Sequence, residues 1–188
     1  MNIAADAIDT RWRLDTPQQL PPEARLAVTE LIDGFDREWS RFREDSLVSA
    51  LARGAGMVTA PDDAADMLDT YVVVSEATDG AVNPLVGVSL EELGYDAAYS
   101  FTPRSPVAAP RDWRTCLAWT TELLCLPEPA VLDVGALGKG RLVDRVSDVL
   151  APWTAHAAVD ASGDVAVRGG TERVGLEHPY APSRAIGV

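Results

Sequence analysis

The chain has few of the residues that would place it quickly in a functional class. Of its 188 residues two are cysteine, Cys116 and Cys125, too few for a disulfide framework or a cysteine-based zinc pattern. Both read as buried apolar residues. Histidine is equally scarce. His156 and His178 stand far apart, with no Ser, Cys or second His near either at catalytic spacing, and His178 precedes Pro179 as a turn residue would. Positive charge is short as well: 16 Lys and Arg against 29 Asp and Glu give a net charge of -13 and a pI near 4.4. Such a surface repels phosphate backbones, which argues against a nucleic-acid binder but leaves room for a small anion in a local cationic pocket. No apolar run approaches the ~18 residues of a membrane span. Met1 to Thr10 carries two Asp and neither a signal-peptide nor a lipidation pattern, so a cytoplasmic protein is expected. Repeats, heptads and low-complexity tracts are absent too.

What remains is the composition of an ordinary globular protein, 47% hydrophobic and 24% charged, in a length that suits one domain with a real core. Alternation from Ile8 to Leu14 predicts a strand. Pro21-Pro22 opens a long helix to about Arg41, with Val28, Leu31, Ile32, Phe35, Trp39 and Phe42 on one stripe. Ser46 should cap a short helix over 47–52 that ends at Gly54. Further helices are expected over 61–78, 82–93 and 139–150, and a surface loop over 102–111. Strands are expected at 115–119, 122–126 and 131–134, with a hairpin around Ala161-Ser162-Gly163-Asp164 and a strand beginning at Arg184. Helices dominate the first half and strands the second, which predicts an α+β fold.

Four segments can carry chemistry. Leu132-Asp133-Val134-Gly135-Ala136-Leu137-Gly138-Lys139-Gly140 joins a strand to a helix through glycines, with a lysine at the helix start. Loop N–H groups, a helix N-terminus and Lys139 together suit an anion, and Asp133 suits ligand donors. A plain turn whose glycines serve local geometry fits the same residues. The spacing matches neither the P-loop nor the Gly-x-Gly-x-x-Gly fingerprint. Asp160-Ala161-Ser162-Gly163-Asp164 reads as a hairpin turn or as a pair of carboxylates for a cation or ligand. Ser40-Arg41-Phe42-Arg43-Glu44-Asp45-Ser46 puts arginines and an aromatic at a helix end, where they can meet a ring and a phosphate or simply finish the helix. Gly80-Ala81-Val82-Asn83-Pro84-Leu85-Val86-Gly87 starts a helix at a proline.

In this order the segments resemble the ApbE family, the FAD:protein FMN transferases. Ala7-Ile8-Asp9-Thr10-Arg11-Trp12 resembles the family's first strand, with Asp9 where Gly is usual. Ser40 to Ser46 resembles its Ser-x-Phe/Tyr-x-x-x-Ser segment. Asn83-Pro84-Leu85-Val86 resembles a Gly-Pro-Leu-Val turn, Leu132 to Gly140 a Leu-Asp-x-Gly-Gly-x-x-Lys-Gly loop, and Ser162-Gly163-Asp164 a Gly-Gly-Asp turn. The resemblance implies one domain over 1–188 with an ApbE-like, T-fold-like mixed sheet and flanking helices. It implies a Mg²⁺-dependent transferase that moves FMN from FAD to a Thr or Ser hydroxyl of an acceptor flavoprotein and releases AMP. An FAD-binding or flavin-trafficking protein without transfer is the alternative. Phe42, Asn83, Pro84, Leu85, Asp133 and Lys139 would contact FAD, and the Ala136 carbonyl would face Mg²⁺. Relatives continue into a Ser-Gly-Asp turn and a His-Ile-Ile-Asp-Pro-x-Thr-Gly-like segment that carries the side-chain metal ligands. This sequence stops at Ile186-Gly187-Val188, so the domain reads as incomplete at its C-terminus. An unfinished strand would leave an open edge and favour a homodimer.

Overall fold

The structure is a computed structural model that describes residues 2–7, 10–54, 56–178 and 180–186, with backbone alone for 2–7, 176–177 and 181–186. Asp9, the departure from the family's first strand, therefore lies outside the described residues, as do Ile8, Pro179, Gly187 and Val188. The elements run β1 (Asn2–Ala7), β2 (Thr10–Asp15), α1 (Pro22–Trp39), α2 (Leu47–Arg53), β3 (Gly56–Thr59), α3 (Ala64–Ala77), α4 (Gly87–Glu92), α5 (Trp113–Cys116), β4 (Ala118–Trp119), β5 (Leu123–Leu126), α6 (Gly138–Leu150), β6 (Ala157–Ala161), β7 (Asp164–Arg168), β8 (Leu176–His178) and β9 (Ala181–Ile186). The fold is α+β. All described strand pairings are antiparallel, and they fall into three sheets ordered β1-β2-β6-β7, β3-β5-β4 and β8-β9. Among the described residues no helix is long and apolar enough to cross a membrane.

Two compact units divide the chain, Met1–Val28 with Val143–Val188, and Thr29–Leu142. In the first, β2 alternates as expected. Trp12 and Leu14 are buried while Arg11 and Arg13 stay exposed, and Trp12 pairs with Ala161 of β6. The β6–β7 hairpin closes in two residues. Ser162 (φ 52°) and Gly163 (φ 109°) both occupy left-handed backbone, and Asp160 Oδ1 accepts the Gly163 N–H at 3.0 Å. That is the chemistry of a tight hairpin with Asp and Gly in their usual places.

In the second unit the α1 stripe buries Ile32, Phe35 and Trp39. Ser46 caps α2 as its position predicts, its Oγ accepting the Ser49 N–H at 3.1 Å. Several boundaries differ from the sequence expectation. Residues 61–63 form a turn, with the Ala64 N–H bonded to the Pro61 carbonyl, and α3 starts only at Ala64. The 82–93 helix shortens to α4 because Asn83 and Pro84 are held in a turn. Residues 113–116 form a helical turn rather than the start of a strand. The turn drives Trp113 into the core, where its Nε1–H donates to Ser75 Oγ at 3.1 Å. Strand β3 carried no legible alternation, since it has only Met57, Val58 and Thr59 beside a glycine. It forms because β5 offers it a complete antiparallel ladder. Residues 131–134 are extended without being a strand, because the Asp133 N–H goes to a loop carbonyl instead of a neighbouring strand.

Candidate functional site

Within the Thr29–Leu142 unit the tertiary structure brings together three of the segments singled out from sequence. The link is short: the Asp133 N–H donates to the Pro84 carbonyl at 2.9 Å. Asn83 fixes the Pro84 side of it. Its Oδ1 accepts the Leu85 N–H at 2.9 Å, and its Nδ2 donates to the Pro110 carbonyl at 2.8 Å. Asn83 and Leu85 are each 4% exposed, so these bonds are shielded from competing water.

From the end of α1, Arg41 reaches the same place. Its Nε donates to Asp133 Oδ2 at 2.6 Å and its Nη2 to the Tyr95 carbonyl at 2.7 Å. The guanidinium lies over the Phe42 ring, 4.1 Å from its centroid. Tyr99 also stacks on Phe42, with centroids 5.3 Å apart and planes 24° from parallel. Tyr95 meets it edge-on at 5.8 Å. Arg41, Phe42, Glu91 and Val131 contribute to the wall of an open cavity of about 230 Å³.

The glycine loop uses much of its own hydrogen-bonding capacity. Gly135 N–H donates to Asp133 Oδ1 at 2.8 Å, and the Leu137 and Gly138 N–H groups both donate to the Val134 carbonyl. Ala136 stays exposed, and Lys139, the one lysine of the sequence, sits half-buried in the first turn of α6. Beneath the loop, Tyr71 is fully buried and its hydroxyl donates to the Asp133 carbonyl at 3.4 Å. Burial, and then the Asp133 carboxylate, push the Tyr71 phenol well above its usual range, while the Ala136 and Leu137 amides pull the other way. Among the described residues no three His, Cys, Asp or Glu side chains converge as metal ligands. The Ala136 carbonyl by itself does not make a Mg²⁺ site, since that ion takes about six oxygens.

The family resemblance implied one site from Phe42, Asn83, Pro84, Leu85, Asp133 and Lys139, and the fold sets the Asp133 N–H against the Pro84 carbonyl. Sequence reasoning missed the Arg41–Asp133 pair, Tyr71 under the loop, and the cluster of Tyr95, Tyr99 and Phe101 around Phe42. The concentration of rings at 95, 99 and 101 in a chain only 6% aromatic was the available signal for that cluster. In the other unit the Asp160 carboxylate accepts the Gly163 N–H within the hairpin turn, and Asp164 is the first residue of β7.

Comparison with known proteins places the fold. The model of the ApbE family matches residues 8–188. A FAD:protein FMN transferase of Klebsiella pneumoniae (strain 342) is 28% identical over 170 residues, which are 85% of this chain and 53% of that protein. The chain thus spans about half the length of this curated relative. The flavin transferase ApbE from Vibrio cholerae superposes with a TM-score of 0.77 at 17% identity, covering 100% of this chain and 67% of that one. The apo Pseudomonas stutzeri flavinyl transferase ApbE gives 0.77 at 16% identity over the same shares, 100% and 67%. The ApbE protein of Thermotoga maritima gives 0.77 at 20% identity, covering 97% and 64%.

Proposed function

We infer that this chain, which belongs to the ApbE family, binds FAD in the Thr29–Leu142 unit and acts as a FAD:protein FMN transferase. The observation that carries the reading is the junction of the Asn83-Pro84-Leu85 turn with the Asp133 loop through a 2.9 Å backbone bond. The relative of known name supports the activity.

In the proposed reaction the hydroxyl oxygen of a Thr or Ser on an acceptor flavoprotein attacks the phosphorus of the FMN half. One P–O ester bond forms, the pyrophosphate P–O bond breaks, AMP leaves with the electron pair, and the hydroxyl proton is released. Charge on the pyrophosphate rises as that bond breaks, so fixed positive groups near it accelerate the step. Lys139 at the start of α6 supplies a full charge, and the helix N-terminus adds to it. Asp133 accepts hydrogen bonds from donors of the ligand, and Phe42 packs against a ring. Asn83, by holding Pro84 and Leu85, keeps that wall of the site in place before the ligand arrives. Mg²⁺ would supply Lewis-acid stabilisation, and the Ala136 carbonyl would offer it one oxygen.

Titration of FAD by flavin fluorescence, with and without Mg²⁺, tests the reading. Saturable binding is expected, and Lys139→Ala should weaken it about tenfold, as loss of one charge-assisted hydrogen bond does. Lys139→Ala binding FAD as tightly as the parent would overturn the placement of the site. Incubation with FAD and an acceptor flavoprotein should then add the mass of FMN to the acceptor and release AMP. FAD binding with no transfer would identify an FAD-binding or trafficking protein instead.

A further inference from the structure

The glycine loop presents an electrostatic conflict. Its glycines and Lys139 suit a ligand phosphate, yet Asp133 stands two residues from Gly135 and is tied to it through the Gly135 N–H. A bare carboxylate at that position would repel a pyrophosphate. The repulsion would be strong, because the Asp133 side chain is only 12% exposed and charges in such surroundings are poorly screened.

The fold answers this with Arg41. Its side chain is 4% exposed and its Nε lies 2.6 Å from Asp133 Oδ2. The Tyr95 carbonyl anchors Nη2, and the Phe42 ring lies under the guanidinium. Those three contacts fix the cation at one place, as a planar fork allows and an ammonium does not. Nη1 is buried without a hydrogen-bond partner and lies 3.6 Å from Glu91 Oε1. Glu91 shares the guanidinium's charge at that longer distance, while the Nη1 hydrogens, which make no hydrogen bond in the protein, can still donate to a ligand oxygen. We propose that Arg41 is a positioning residue that neutralises Asp133, so that the loop accepts an anionic ligand while Asp133 remains an acceptor for the ligand's donors. This rests on the reading of the loop as the FAD site.

With Arg41 in place, Asp133 Oδ2 accepts from Arg41 Nε and Oδ1 from Gly135 N–H, and a carboxylate oxygen can accept a further donor. Without it, the loop carries an uncompensated buried anion beside the FAD pyrophosphate. The role is therefore conditional on Asp133 being charged, which separates it from simple support of Phe42 and Tyr95.

A double-mutant cycle tests this, with FAD affinity read by flavin fluorescence and folding checked by circular dichroism. Arg41→Gln should weaken FAD binding roughly thirtyfold, as truncating one partner of a buried charge pair does. In the Asp133→Asn background the same change should cost only about threefold, because the anion it offsets is gone. Arg41→Lys keeps the charge and should bind more tightly than Arg41→Gln, and Arg41→Met takes the Gln variant's place in both backgrounds should the Gln form not fold. Equal losses in the wild-type and Asp133→Asn backgrounds, or a Lys variant as weak as the Gln variant, would overturn the neutralising role. Absence of FAD binding by the parent chain would refute the FAD site itself, and this role with it.

Discussion

Replacing Asn83 with alanine puts the construction of the candidate site to a quantitative test. The side chain makes two hydrogen bonds, accepting from Leu85 N–H at 2.9 Å and donating to the Pro110 carbonyl at 2.8 Å. Asn83 is 4% exposed, and truncation leaves a buried N–H and a carbonyl without their partner. Each stranded group costs about 1–3 kcal/mol, so the pair should cost about 2–4 kcal/mol after partial relaxation. For a chain of this size 1 kcal/mol moves the melting temperature by about 2–4 °C, which predicts a fall of roughly 4–16 °C. Asn83→Asp keeps the acceptor for Leu85 but sets a buried carboxylate oxygen against the Pro110 carbonyl, and should fall at least as far. Thermal melts followed by circular dichroism read both values. Since Pro84 carries the carbonyl that holds Asp133, FAD affinity should drop in the alanine variant as well. A melting temperature within about 1 °C of the parent would show that water replaces both bonds without cost, and would refute the claim that Asn83 builds this wall.

The close packing of α4 makes a second test. A Cβ on Gly87 would lie 2.4 Å from Val131 Cγ1 and 2.6 Å from the Val131 carbonyl, so Gly87→Ala should destabilise by about 1–3 kcal/mol in urea titration. Ser46→Ala removes the α2 cap and should cost about 1 kcal/mol by the same measurement, with little change in FAD affinity. Tyr71 gives a pH signature. Its folded-state pKa is raised above the unfolded value of about 10, so it binds its proton longer in the folded state. Its contribution is fully present below about pH 10 and is lost as pH rises through the folded value, and Tyr71→Phe should flatten the alkaline fall in stability. An alkaline limb identical in the two proteins would place that titration elsewhere.

Features decided within a turn or two of chain were legible in the residues themselves. The α1 stripe as far as Trp39, the Ser46 cap, the Asp160–Gly163 hairpin and the α6 stripe each depend on neighbours close in sequence and came out where their patterns put them, whereas α1 ends before Arg41 and leaves Phe42 beyond the helix. The ordered motifs also identified the family, because motif order along a chain is itself sequence information. Residues 131–134 show where this fails. They have the apolar character of a strand, but their key amide is taken by the Pro84 carbonyl, and no local pattern announces that partner. In the same way Thr115 and Cys116 read as the start of a strand, but they close a helical turn that sets the Trp113 ring beside Ser75.

The sequence by itself determined the helical and hairpin pieces, the acidic balance and the identity of the segments that form the candidate site. Only the tertiary structure decided what those segments do to one another. Arg41 and Asp133 are 92 positions apart, and nothing in either segment shows that the two form an ion pair. That pairing depends on where α1 ends relative to the glycine loop, which packing of the surrounding core fixes. The charge an anionic ligand meets at the loop is a sum over side chains gathered by the fold, and such a sum has no representation along the chain.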